Sequence, residues 1–526
     1  MTGMNTLFAK LGFREGDRLL LRRSMLWTFL LGFAAHGFML VNLSVSHDAV
    51  FDFYDGLLAH QHQIGLGRIL EPVYREITAS GLLMPWTTGL AAFFWLGIAV
   101  FLVCWLLHLC KKTEIFLTAG IMSVNISVTA VGAAYTPWLA ADMFALLMAV
   151  LSVFFWQLYG SRREKKWLLF GVLSIFCSLS VYQCYLAVAV VLMIFVSMRY
   201  LLEGKRAADV FKNGIAGIGV IGAGGLLYYI LMQAVCSLVK TPLAEGYYDS
   251  VTNLWDNREP VLHRVVSCLK EAATHFFAKD ESIYPYPVVW AVNAVLIFLC
   301  AFLLVRLLRS KNLCRGEMGK AEWLLFLALL TALPFAAYMM RLLNTDVHDL
   351  MVYAVWLLYL VPLLLQKRTV HAAAGDRKIY CLVAALLCFI IFEDIQTDNA
   401  VYVKKKVEAG ATLSLMTQIL SQVEQTEGYV PGETPVLFVG QVSEILQELP
   451  GTQRVKGISG CNKTSAITYE GTYQAYFDNV MLRDVEVVVE SDAGDLLKEP
   501  EIARMPAYPQ EGYVKLVDGT AVVKLK

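Results

Sequence analysis

Charge is what this chain has least of. Asp, Glu, Lys and Arg make up 17% of its 526 residues, against about 25% in an average soluble domain. The 44 basic residues cancel the 44 acidic ones, so the totals give no reason to expect a nucleic-acid partner. Motifs of several enzyme classes are missing as well: there is no P-loop, no HExxH and no nucleophile elbow. No CxxC pair and no ligand-like spacing to histidine occurs among the 11 cysteines. Cys104, Cys177, Cys184, Cys236, Cys300, Cys381 and Cys388 sit inside apolar runs, which makes them small hydrophobes rather than metal ligands. Also absent are low-complexity linkers, internal repeats and the paired broken helices that point to a secondary transporter. The first apolar stretch, Met25 to about Val45, is long and lacks a small-residue cleavage site, so it reads as an uncleaved first transmembrane helix.

What is present in excess is hydrophobic residues, at 57% against about 45–50% in soluble proteins. A bilayer core of about 30 Å needs roughly 20 apolar residues of helix. About eleven such runs occur: Met25–Val45, Thr87–Leu109, Ile115–Ala134, Leu139–Tyr159, Trp167–Leu179, Val181–Met198, Ile215–Val239, Val288–Leu308, Trp323–Met340, Leu350–Leu365 and Ile379–Phe392. The fifth and sixth form one apolar stretch that is divided at Tyr182–Gln183, because a single span of that length would need a steep tilt. Loop charges test the division, since Lys and Arg concentrate in cytoplasmic loops. With Arg14, Arg18, Arg22 and Arg23 inside, the loops at Lys111–Lys112, Ser161–Lys166, Arg199–Lys212, Arg306–Lys320 and Gln366–Lys378 are all basic. Merging the two runs would break that agreement. The expected protein is a multi-pass α-helical membrane protein with a cytoplasmic N-terminus and an outer C-terminus.

After Phe392 the composition becomes that of a soluble domain. Helical patterning over Asn399–Glu427 precedes a strand-like Pro435–Gly440, a helix-like Ser443–Leu449, a strand-like Asp484–Glu490 and a hairpin of Tyr513–Val517 with Ala521–Lys526 around Asp518–Gly519. The division is therefore a transmembrane domain, 1–396, and a small extracytoplasmic α/β domain, 397–526.

Two outer loops, 44–86 and 240–287, far exceed the few residues that connections usually take, and such loops commonly carry function. In the first, helical geometry would put Asp48, Asp52 and Asp55 on one face, with Val50, Phe51, Phe53 and Tyr54 against the membrane surface. Three such carboxylates can raise a pKa or bind a divalent cation; equally, they can be the solvated face of an interfacial helix. Further on, Arg68 follows Gly65–Leu66–Gly67, where a guanidinium suits a phosphate through paired planar donors or snorkels to lipid headgroups. Arg341 has the same ambiguity. The second loop holds Tyr247–Tyr248–Asp249 and Trp255–Asp256–Asn257–Arg258–Glu259 before a helix-like Val261–Phe277, and its aromatics fit either sugar stacking or a membrane-interface belt. Tyr182–Gln183, at a tight outer turn, lines a site or simply caps the hairpin.

With these features in place the chain resembles the polytopic GT-C glycosyltransferases, and more narrowly the glucosyltransferase II family that modifies bacterial surface polysaccharides. The residues that carry the likeness are Ser46–His47–Asp48 with Leu66–Gly67–Arg68–Ile69–Leu70; Ala134–Tyr135–Thr136–Pro137–Trp138; Ser178–Leu179–Ser180–Val181–Tyr182–Gln183–Cys184–Tyr185; and Met351–Val352–Tyr353–Ala354. A weaker likeness reaches Val436–Gly440 and Tyr508–Tyr513. The resemblance implies a polyprenyl-phosphate sugar as donor and a cell-surface polysaccharide or glycolipid as acceptor. It implies an acidic residue of the first outer loop at the catalytic centre, which Asp48 matches, and leaves a divalent cation open as cofactor. Where many relatives have two adjacent acidic residues this sequence has His47–Asp48, a departure that weighs against a paired-carboxylate or metal-dependent mechanism. His47, Asp52, Arg68, Tyr182, Gln183 and Arg341 are the accompanying substrate-site candidates. Two rival readings are a lipid-linked-sugar flippase, for which Asp142, near the start of the fourth span, is the clearest candidate charge, and a noncatalytic scaffold of envelope assembly.

Overall fold

The computed structural model describes residues 12–42, 45–51, 57–79, 84–244, 259–278, 286–309, 318–344, 347–369 and 374–526. Asp52, Asp55, Tyr247–Tyr248–Asp249 and Trp255–Arg258 therefore lie outside the described residues. Among the described residues, ten helices are long and apolar enough to cross a membrane, and the 16-residue Lys166–Val181 is a shorter apolar one. Together they match the eleven runs read from the sequence. The division between the fifth and sixth is real: Lys166–Val181 ends at Tyr182, whose backbone is extended (φ −155°, ψ 118°), and a single 3-10 turn, Gln183–Tyr185, leads into Leu186–Leu202.

Composition explains how the spans sort. Lys112–Ala134 is buried on nearly all sides, and is interrupted where Asn125 stops one helix with bonds to the Ile121 and Met122 carbonyls and caps the next through Val128 N. Ala207–Val239 instead turns Phe211, Ile215, Ile218, Leu226, Ile230 and Leu238 outward. Such a stripe has its apolar surroundings in lipid tails. The first span, Glu15–Val41, packs closely on Pro85–Leu107 because Gly89 has no side chain; a Cβ there would stand 2.0 Å from Leu40 Cδ2, the small-residue contact usual between membrane helices. Polar groups tie the bundle internally. The His36 Nε2–H donates to the Ser123 carbonyl (2.7 Å), leaving Nδ1 to accept from the Tyr402 hydroxyl (2.9 Å).

The last helix, Ala374–Glu424, is one piece of 51 residues, so it runs through position 396 without a break. At 1.5 Å per residue it is about 76 Å long. Val383, Leu387, Ile391 and Tyr402 pack in the membrane bundle, whereas Leu415, Met416, Ile419, Leu420 and Val423 form the core under the C-terminal sheet. That sheet comprises β1 (Val436–Val439), β2 (Val487–Val488), β3 (Val514–Val517) and β4 (Thr520–Lys524) in the order β2-β1-β4-β3. Strand β1 is parallel to β2 and β4, and β3 and β4 form the hairpin expected around Asp518 and Gly519, both at positive φ. The helix expected over Ser443–Leu449 is only a 3-10 turn, Val442–Glu444. The Ser443 carbonyl accepts instead from the Thr464 hydroxyl (2.9 Å).

Candidate functional site

The chemistry-bearing segments gather where the bundle meets the sheet domain, in two adjoining clusters. The first is a small pocket of about 30 Å³ lined by Arg68, Glu71, Tyr135, Trp138, Asp142, Val181, Tyr182, His348, Leu350 and Met351, room for roughly one or two waters. Arg68 is placed by its own loop. Gly67 takes φ +82°, and Arg68 N returns to the Gln63 carbonyl (2.9 Å) while its Nη1 donates to Gln63 Oε1 (3.0 Å). The loop is stapled from outside by Leu70 N to the Ser180 carbonyl (2.8 Å) and Ala244 N to the Gly65 carbonyl (2.9 Å). Its third staple is Gln183. The Gln183 Nε2 donates to the Leu66 carbonyl (3.2 Å) and to Tyr228 Oη (2.9 Å), whose own hydroxyl donates to the Gly67 carbonyl (3.0 Å). Gln183 is thus a positioning residue, and only its neighbour Tyr182 reaches the cavity.

Inside, the Arg68 guanidinium lies 4.7 Å from the centre of the Tyr182 ring and within electrostatic reach of the Asp142 carboxylate. Asp142 is the fourth residue of Leu139–Arg162, at the cavity end of its span rather than at mid-membrane depth. Tyr135 and Trp138 stack with centroids 4.6 Å apart, and the buried Trp138 Nε1–H has no acceptor among the described residues. Of the five stronger segments that carry the family likeness, all but 46–48 supply this cavity: 66–70 through Arg68, 134–138 through Tyr135 and Trp138, 178–185 through Val181 and Tyr182, and 351–354 through Met351.

The second cluster surrounds Asp48. The α-helical stripe expected there does not extend to it: 45–48 is non-helical and Ala49–Phe51 is a single 3-10 turn. Ser46 anchors the turn, its hydroxyl donating to the Ala134 carbonyl and accepting from Ala49 N. Val45 and Val50 enter the core of the sheet domain instead of resting on the membrane, Phe51 stacks on Tyr469, and the Val50 carbonyl accepts from Asn479 (2.8 Å). His47 Nε2 lies 3.2 Å from Asp48 Oδ2, both side chains being about a quarter exposed at 26% and 29%. Burial sets the His47 pKa below its ordinary 6.5; the Asp48 charge opposes this, and Lys405 and Lys463 add to it. Those two lysines are the residues that sequence reading missed. Lys404–Lys405–Lys406 was a visible signal in a helix otherwise judged by periodicity alone.

Two pairs of consecutive residues join the clusters. Tyr135 lines the Arg68 cavity while Ala134 receives Ser46 and the backbone of Gly460; His348 lines the same cavity while Asp349 Oδ2 accepts from Ser459 N (3.1 Å). Gly460 is required there: its φ is +83°, and a Cβ would stand 3.0 Å from Ala134 N. Asp48 itself does not line the Arg68 cavity. Nor does Arg341, which is held by Glu271 (2.7 Å), Glu259 (3.1 Å) and the Asn344 carbonyl (3.0 Å). The Arg341 hydrogen bond and charge keep the Glu259 carboxyl below its usual range, so this arginine is already neutralised as a tie between two loops.

A polytopic bundle whose loops and added domain build a carboxylate and cation site at one membrane face is the architecture of a membrane-embedded transferase. The family model for glucosyl transferase GtrII matches residues 37–365, well over half of the chain, and the protein belongs to that family. It is a membrane glycosyltransferase. No curated protein matches the chain.

Proposed function

We propose that the protein moves a hexose, glucose by its family, from a polyprenyl-phosphate donor to a cell-surface glycan at the outer face of the bacterial plasma membrane. The observation that carries this reading is the convergence of Arg68, Tyr135, Trp138, Tyr182 and Asp142 on one cavity that adjoins Asp48. A donor whose tail stays in the bilayer must react where lipid meets water, and both clusters lie where the spans give way to the sheet domain.

In the proposed step Asp48 takes the proton of an acceptor hydroxyl, whose oxygen attacks the sugar C1. The C1–O bond to phosphate breaks, and its electron pair leaves with the phosphate. Positive charge must stabilise that leaving group, the role assigned to Arg68, whose planar donors suit a phosphate. Tyr135 and Trp138 offer ring edges and the free indole N–H to the sugar. A single base without a second nucleophile fits direct, inverting displacement. Arg341, occupied by two carboxylates, has no part in this step.

The test uses the full-length protein in lipid nanodiscs with labelled prenyl-phosphate glucose and crude envelope glycan. Labelled glycan is expected from the wild type and not from Asp48→Asn. Undiminished product from Asp48→Asn would sink the assignment of the base, and transbilayer movement of donor without product would make the protein a carrier.

A further inference from the structure

Exposed aromatic rings outside the bundle occur at one place. Among the described residues every other exposed ring, Phe94, Phe211 and Phe298 among them, sits on an apolar helix of the bundle, where lipid tails cover it. Phe51 and Tyr469, at 40% and 46% exposure, do not. They lie beyond the spans, because Val45 and Val50 of the Phe51 turn, and Tyr473 one turn after Tyr469, belong to the core of the sheet domain. The two rings are near-parallel, 27° apart with centroids separated by 6.2 Å.

Both rings are held in place by their own segments. The Thr472 hydroxyl donates to the Tyr469 carbonyl (2.5 Å) and accepts from Tyr469 N (3.3 Å). The Tyr469 ring lies over Gly471, where a Cβ would stand 3.2 Å from its Cε2. The helix that follows, Gly471–Tyr476, is fixed to β1 by Tyr473, which stacks on Phe438 (4.3 Å). Phe51 N donates to the Asp48 carbonyl (3.3 Å), which puts Phe51 one 3-10 turn, about 6 Å, beyond Asp48. That spacing is close to the repeat of one sugar in a glycan chain.

Exposed apolar groups that adjoin one another mark interaction sites, and rings already ordered lose little entropy on binding. This patch is two rings wide, far short of the about 800 Å² per partner of a stable protein interface. Its neighbours in sequence are His47, Asp48 and Glu470, polar groups that suit hydroxyls. The C–H face of a sugar fits such rings while its hydroxyls turn to the polar rim. We propose that Phe51 and Tyr469 form a platform for the acceptor: one sugar of a glycan stacks on the rings while a hydroxyl of the next sugar reaches Asp48. This rests on Asp48 as the base and extends that reading by naming the acceptor class, a chain of at least two linked sugars rather than a monosaccharide. The sheet domain then supplies acceptor recognition, and the bundle holds the donor.

The test uses full-length protein in phosphatidylcholine nanodiscs, with crude envelope glycan cut by mild acid into single sugars and into fragments of two to four. Binding is read by saturation-transfer NMR on Asp48→Asn protein, and turnover by acceptor and donor KM with Asp48 intact. The fragments are expected to bind and to be used far better than single sugars. Tyr469→Ala should weaken the saturation transfer and raise the acceptor KM roughly threefold to tenfold, the worth of one aromatic contact. Its donor KM, and the shift in thermal midpoint on adding farnesyl phosphate, should stay at wild-type values. Tyr469→Phe should restore acceptor binding, whereas Tyr469→Leu, apolar but without a ring, should not; these two carry the test should Tyr469→Ala not fold. Acceptor binding and KM unchanged in Tyr469→Ala and Tyr469→Leu would make the rings a domain or membrane contact and overturn the proposal. Single sugars used as well as the fragments would overturn its acceptor-length part. Loss of product in Asp48→Asn with the Tyr469 variants unchanged would sink this inference and leave the proposed function standing. Fragments bound through Tyr469 without any product from the wild type would sink the proposed function and leave the glycan platform.

Discussion

The Arg68 and Asp48 clusters are neighbours built in opposite ways. Arg68 is held by the membrane bundle alone: its loop is stapled to residues 180, 183, 228 and 244, all within or next to spans. Asp48 stands on a short turn that has little structure of its own and borrows the sheet domain's core through Val45 and Val50. A cation rigidly placed in the bundle thus neighbours a carboxylate whose position depends on docking of a separate domain. Anchoring only one partner in the bundle leaves the geometry of the pair to an interface, and that interface is where it can be broken.

The largest effect is expected from the base. Asp48→Asn should lower kcat by about 10²–10⁴-fold, the usual worth of a positioned acid or base, with donor binding kept; single-turnover transfer separates the two. Next comes the bundle side. Arg68→Ala should raise the donor KM roughly ten- to a hundredfold, since a hydrogen bond to a charged group contributes about 1.5–3 kcal/mol. An unchanged KM would remove Arg68 from the phosphate site and dissolve the comparison. The interface itself is tested by Gly460→Ala. A side chain at that positive φ costs about 1–3 kcal/mol and meets Ala134, so activity should fall through Asp48 while the Arg68 cavity keeps its farnesyl phosphate response.

The smallest effect is that of His47. Its folded pKa lies below the 6.5 of a free histidine, so the folded state binds this proton less readily than the unfolded chain does. Its contribution is therefore intact above pH 6.5 and is lost as pH falls through that value. With His47 about a quarter exposed at 26%, solvent screening should keep this well under 1 kcal/mol. His47→Asn should flatten the midpoint between pH 7 and 5.5 by that small amount, and a larger change would mean that burial and the two lysines outweigh the opposing Asp48 charge by more than the partial exposure of His47 suggests.

Spans are legible in this sequence because lipid demands long uncharged runs, and even the break at Tyr182 follows from loop charge. The hairpin around Asp518–Gly519 is legible from turn chemistry. Arg68 and Tyr182 could be chosen by residue type, but their meeting could not, because it depends on four segments more than 280 positions apart (68 to 351) that only packing brings together. The start of the carboxylate stripe departs from the expected helix for a different reason. Spacing alone suits a helix from Asp48 onward, yet Ser46 spends its hydroxyl on Ala134 and Ala49, and Val50 finds a better apolar partner in the sheet domain than in the membrane surface. Residue type alone cannot show that Gln183 and Arg341 place their hydrogen bonds between chain segments, Gln183 on Leu66 and Tyr228 and Arg341 on Glu259 and Glu271.

The unbroken helix from Ala374 to Glu424 acts as a crankshaft between the two parts of the molecule. Each residue added to or removed from it would rotate everything beyond by about 100° and shift it by about 1.5 Å. Its length is therefore fixed to near-whole turns, because any other change would swing the face that carries Leu415, Met416, Ile419 and Val423 away from the sheet it supports.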